Sequence, residues 1–97
     1  MAAGEETSVV TEQIFFSGRV QGVGFRFTTR GIAKRFPVVG FVRNLPDSRV
    51  ELVIRGQSTA IDDVVHRLTE HFGDNITHVD RTCIPPDEPF TTFDIRR

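Results

Sequence analysis

The chain has no tryptophan, no tyrosine and a single cysteine, Cys83. One cysteine excludes an internal disulfide and a Cys-rich zinc site, and it suits a reducing, cytoplasmic setting. Basic excess is also missing, with 12 Lys and Arg against 13 Asp and Glu and a formal net charge of -1. Nucleic-acid binding is therefore not expected, and any anion recognition has to be local. No apolar run reaches membrane-spanning length, and Met1 to Glu6 lacks the basic and apolar regions of a signal peptide. The expectation is a soluble, monomeric, cytoplasmic domain with no membrane partner.

What is present is globular composition, 38% hydrophobic and 26% charged, with Phe supplying every aromatic ring. At 97 residues the chain has room for one core. Residues 1–11 are small or polar without a sustained period and read as a flexible tail, leaving 12–97 as the domain.

Gln13 to Ser17 has strand composition, and its adjacent Phe15 and Phe16 suggest burial on both faces. Apolar or tolerant positions Phe25, Thr28, Thr29, Ile32, Ala33 and Phe36 recur at helical spacing, predicting a helix over about 25–35 that Pro37 closes. Residues 38–43 and 49–55 form a predicted hairpin around Leu45-Pro46-Asp47-Ser48, ending at Gly56. Ser58 or Thr59 is placed to cap a second helix whose face is Ile61, Val64, Val65, Leu68 and Phe72, with Gly73 as its stop. Residues 77–84 read as a fourth strand, followed by a proline-held connection and a short strand over 92–96. The order is βαββαβ with a short C-terminal strand. Right-handed crossovers then put both helices on one face of an antiparallel sheet, giving an α+β, ferredoxin-like sandwich.

Chemistry concentrates between the first strand and the first helix, at Gly18-Arg19-Val20-Gln21-Gly22-Val23-Gly24-Phe25-Arg26. A glycine-rich loop at a helix N-terminus can turn its amides inward and make a concave anion site. Arg26 in the first helical turn opposes the helix dipole, and Arg30 and Lys34 add charge on the same stripe without any acid in the loop or helix. A bound phosphate held bidentately by Arg26 would compensate. The bland alternative is a tight turn followed by a solvated arginine. No Gly-Lys-Ser/Thr ending or dinucleotide fingerprint is present, so ATP and NAD are not expected.

The stretch Gly18 to Arg26 resembles the acylphosphatase family signature Gly-x-Val-Gln-Gly-Val-x-Phe-Arg. Val39-Gly40-Phe41-Val42-Arg43-Asn44-Leu45-Pro46-Asp47 followed by Arg49-Val50-Glu51 looks like that family's second strand and turn. Phe93-Asp94-Ile95-Arg96-Arg97 resembles its ending. The resemblance covers about residues 13–97 and implies a ferredoxin-like fold and cofactor-free, metal-free hydrolysis of acyl phosphates, with inorganic phosphate as product or inhibitor. It further implies that Arg26 and the amides of Val20, Gln21, Gly22, Val23, Gly24, Phe25 and Arg26 bind the phosphoryl group, while Asn44 orients the attacking water. Without it, Asn44 would read as a turn-forming residue before Leu45-Pro46. One departure is Ser48, where the family commonly has Gly, implying positive φ at a residue that disfavours it. Another is the use of Phe for the family's aromatic mixture, read as core substitution.

Three histidines, His66, His71 and His78, lie far from the loop in sequence and read as surface groups. Cys83 reads as a packed side chain, and Ser17 has no visible base to activate it. Two competitors share the fold order. An RRM-type RNA-binding module needs rings on its third strand, which here reads Arg49-Val50-Glu51-Leu52-Val53-Ile54. An accessory domain of a carbamoyl-transferring maturation protein needs further domains, so stand-alone activity is expected.

Overall fold

The computed structural model describes residues 8–97. The tail reading of residues 1–7 lies outside the described residues. Strand β1 spans Val9–Gly18, α1 Phe25–Ala33, β2 Val39–Asn44, β3 Val50–Gln57, α2 Ser58–Phe72, β4 Ile76–Cys83 and β5 Phe93–Arg96, with a 3-10 turn at Gly73–Asn75 between α2 and β4. The strands form one sheet in the order β4-β1-β3-β2-β5. All neighbours pair antiparallel except β2 and β5, which run parallel at one edge. The expected α+β sandwich is therefore present, with one parallel pair added to the antiparallel sheet. Among the described residues no helix is long and apolar enough to cross a membrane.

Alternation along the strands builds the core. Ile14 and Phe16 of β1, Val42 of β2 and Val50, Leu52 and Ile54 of β3 are fully buried on the helix side. Against them α2 presents Ile61, Val64, Val65, Leu68 and Phe72, as its sequence spacing predicts. Phe25 at the head of α1 stacks between Phe16 and Phe72, with ring centroids at 5.0 and 4.5 Å. Burying a Phe stabilises by about 1.5–3 kcal/mol, and here it also fixes the point where the loop enters the helix.

Several boundaries differ from the sequence reading. β1 begins four residues before Gln13, so Val9, Val10 and Thr11 belong to the sheet, opposite Gln57, Gly56 and Arg55. Gly56 lies inside β3 for the same reason. Ser58 is the first residue of α2 rather than its cap, since Gln57 holds the N-cap position and makes no side-chain capping bond. Cys83 is exposed, because β4 is an edge strand. Glu12, buried on the helix side, takes two hydrogen bonds from the Arg81 guanidinium at 2.8 and 2.9 Å. Arg81 also reaches Asp62 of α2 at 2.7 Å, tying that helix to the sheet edge.

Because β4 and β5 occupy opposite edges, the connection between them has to cross the sheet. Residues 84–92 do so on the face away from the helices, where Arg55 Nη2 donates to the Glu88 carbonyl at 2.8 Å, Arg96 pairs with the Glu88 carboxylate, and Phe90 packs edge-on against Phe41 at 5.9 Å. This strap explains why Phe41 and Val53 are buried although they point away from the helices.

Candidate active site

Strand direction decides which chain ends meet. β1 and β2 both pair antiparallel with β3, so they run parallel to each other, and β5 runs parallel to β2. Their C-terminal ends, Gly18, Asn44 and Arg96, therefore stand at one end of the sheet, and the loop leaving Gly18 delivers the N-terminus of α1 to the same place. The outcome is a groove of about 200 Å³ lined by Gly22, Gly24, Phe25, Arg26, Phe27, Asn44 and Ile95.

The loop is shaped by two glycines in the left-handed region, Gly22 at φ 75° and Gly24 at φ 79°, the latter serving as the N-cap of α1. A Cβ at either would meet nothing within 4 Å, so backbone conformation rather than space calls for Gly. The first amide of this helix to find a carbonyl is that of Thr28, bonded to Gly24 O at 3.0 Å. Among the described residues, the backbone amides of residues 20–27 make no intramolecular hydrogen bond. They are the orphan donors of a helix start, extended backward into the loop.

Arg26 stands in the first turn of α1, where no acidic residue is present. Its Nη1 reaches the Arg96 carbonyl at 3.5 Å, the outer edge of hydrogen bonding, which leaves most of the guanidinium fork free. Asn44 closes β2 on the helix side, opposite Val50. Its Oδ1 is buried and has no hydrogen-bond partner, alone among the buried side-chain polar atoms of the described residues. A buried unpaired acceptor costs about 1–3 kcal/mol.

The sequence-predicted residues do not all line this groove. Gly22, Gly24, Phe25, Arg26 and Asn44 do. Val20 is fully buried in the core, and Val23 is partly exposed outside the groove lining. Gln21 has a role its sequence context gives no sign of: its Nε2 donates to the carbonyls of Leu45 and Arg49, at 2.8 and 3.0 Å. The loop is thereby fastened to the β2–β3 turn that carries Asn44. That turn is closed by Leu45 N to Arg49 O at 2.8 Å, with Ser48 at φ 79°. Asp47 caps it through the Arg49 amide and guanidinium, which hold its carboxyl below the ordinary carboxylate range.

Other candidates stay apart. His66 is exposed and pairs with Glu70 at 3.3 Å, and His71 packs on Phe72. A larger depression of about 420 Å³ lies at the opposite end of β1, lined by Val9, Val10, Thr11, Arg55, Cys83, Ile84 and Pro86. Its one cation, Arg55, is already engaged by Thr11 and Glu88, so no free charge faces it. On the strap side β3 presents Glu51, Val53 and Arg55 and no ring, unlike an RNA-stacking sheet.

A ferredoxin-like sandwich with an amide-rich groove at the C-terminal ends of three strands defines a small α+β class. The acylphosphatase family profile matches residues 12–95, and the chain belongs to that family of hydrolases. An acylphosphatase of Nostoc sp. is 35% identical over 94 residues, covering 95% of this chain and 91% of the relative. The acylphosphatase structure from Bacillus subtilis superposes with a TM-score of 0.83 at 28% identity, covering 93% of this chain and all of that one. That from Coxiella burnetii gives 0.82 at 30% identity, covering 99% and 100%.

Proposed function

We propose that this chain hydrolyses the carboxyl–phosphate bond of acyl phosphates by direct attack of water on phosphorus. The observation that carries the reading is a single groove lined by loop residues whose amides are unpaired, by Arg26 and by Asn44. Family membership supports it.

In this reading the loop amides and Arg26 hold the phosphoryl oxygens before and during reaction. The Asn44 side-chain amide hydrogen-bonds the attacking water and aims its oxygen at phosphorus. The new P–O bond forms as the acyl P–O bond breaks, and its electron pair leaves with the carboxylate. The water proton passes to the phosphate product or solvent. A carboxylate leaving group, with a conjugate acid near ~4.3, departs without protonation, so no general acid is required and the histidines have no part. The phosphoryl charge is met by Arg26 and amides, so no metal or other cofactor is required either. The reading takes the chain as a cytoplasmic monomer whose catalytic domain is residues 12–97, extended to Val9 by the first strand.

Hydrolysis of acetyl phosphate in the presence of EDTA tests the reaction. Turnover that is absent, or that appears only with an added divalent metal, overturns it. Inorganic phosphate should compete with substrate and stabilise the fold, by about 2.7 kcal/mol at 100 times its dissociation constant.

A further inference from the structure

The groove does not end at Arg26. Phe27, which lines it, is three-quarters exposed, the most exposed large hydrophobic residue among those described. On its other side Phe27 lines a second depression of about 200 Å³ with Arg30, Gly31 and Lys34. These four positions lie three or four apart on one face of α1 and its C-cap. Gly31 contributes no side chain there, and a Cβ at it would meet nothing within 4 Å, so a shallow trough runs between the Phe27 ring and Lys34.

The trough is cationic. Arg26, Arg30 and Lys34 repeat at i, i+4 and i+8, an arrangement that is mutually repulsive on an isolated helix. Among the described residues none of the three pairs with a carboxylate. The dipole accounts for cations near a helix C-terminus, but it offers nothing for an exposed ring beside them. With 1.5 Å rise per residue, Arg30 and Lys34 stand about 6 and 12 Å along the axis from Arg26.

We infer that this face of α1 holds the acyl half of the substrate, and that it selects acyl phosphates with an apolar segment ending in a second anionic group. The inference rests on the acyl-phosphate reading of the groove and adds the substrate class. With phosphorus at Arg26, the acyl group lies against Phe27, and its distal carboxylate or phosphate meets Arg30 and Lys34. Charge complementarity and continuity with the phosphoryl groove both favour this occupant.

Three probes separate the contributions: acetyl phosphate, benzoyl phosphate and 4-carboxybenzoyl phosphate. For the parent chain at low salt, kcat/KM should rise in that order, by roughly threefold to tenfold at each step. The carboxylate step should shrink in salt, since exposed charge pairs are screened. Phe27→Ala should lower the benzoyl-to-acetyl ratio toward one. The double variant Arg30→Gln with Lys34→Gln should abolish the carboxylate step and leave the benzoyl-to-acetyl ratio as in the parent. These two surface positions give little reason for misfolding, and circular dichroism would check it. Equal kcat/KM for the two aromatic probes, or a carboxylate preference that survives the double variant, overturns the inference while acetyl phosphate turnover stands. Loss of acetyl phosphate turnover in the parent chain overturns both readings.

Discussion

Gln21 Nε2 donates to the Leu45 carbonyl at 2.8 Å, joining the loop before α1 to the turn that follows Asn44. Its second bond, to the Arg49 carbonyl at 3.0 Å, spans the same turn. Its two acceptors lie 24 and 28 residues along the chain, so this one side chain bridges the two halves of the candidate site.

Gln21→Leu should therefore damage the site more than the fold. Both acceptor carbonyls keep one turn bond each, from Ser48 N and Leu45 N, so stability should fall by only about 1–2 kcal/mol. A positional slip of about 1 Å costs on the order of 10²-fold in rate, so kcat/KM for acetyl phosphate should drop at least tenfold. Parent-like kinetics in a folded variant would show that the loop holds its place without the tether.

Ser48 sits at φ 79° in the β2–β3 turn, where a residue with a Cβ is disfavoured. Ser48→Gly should stabilise the protein by roughly 0.5–1 kcal/mol, the relief being offset in part by the freer unfolded chain. Chemical denaturation checks it. A lower midpoint would mean that the Ser48 side chain contributes something the turn geometry does not reveal.

The strap provides a prediction in pH. Glu88 lies below its ordinary value of 4.5, chiefly because the Arg96 side chain hydrogen-bonds it, with the Arg96 and Arg55 charges adding and burial opposing. A depressed carboxyl contributes stability that is complete above the unfolded value and is lost as pH falls through the folded one. The Phe90 ring resonances should consequently shift only below that ordinary value, reporting release of the strap from Phe41. In Glu88→Gln the same resonances should lose this acid transition. A transition at neutral pH would assign it to another group.

How much of this was legible follows from where each signal sits in the chain. The glycine loop, Arg26 without a neighbouring acid, and the α2 face from Ile61 to Phe72 are local patterns, and each is found where the sequence puts it. Ser48 likewise has the positive φ that its departure from the family's glycine implies. What could not be read is set by partners distant in sequence. Val9 to Thr11 look like a tail until Gly56 and Gln57 extend β3 beside them. Cys83 looks packed until β4 proves to be an edge. Gln21 lies in a motif that draws attention to its amide, while the work of its side chain depends on carbonyls in the hairpin. The strap follows from strand order alone, since only then do β4 and β5 fall at opposite edges.

Arg26 and Asn44 should fail in different ways. In the proposed mechanism the guanidinium faces the phosphoryl oxygens in both ground and transition states, so Arg26→Ala should weaken inorganic phosphate binding and also lower kcat, and Arg26→Lys should not restore the two-pronged geometry. Asn44 contacts the reaction only through water in the proposed mechanism. Asn44→Ala should leave phosphate affinity nearly unchanged while kcat falls by a factor on the order of 10² or more. The same change removes the buried, unpartnered Oδ1, so stability should hold or rise slightly, the opposite of what a structural role for the side chain would give. Calorimetry with phosphate, thermal denaturation and steady-state kinetics on the one variant separate these outcomes. A folded Asn44→Ala protein that turns over acetyl phosphate at the parent rate would remove Asn44 from the mechanism and leave Arg26 with the loop amides as the whole site.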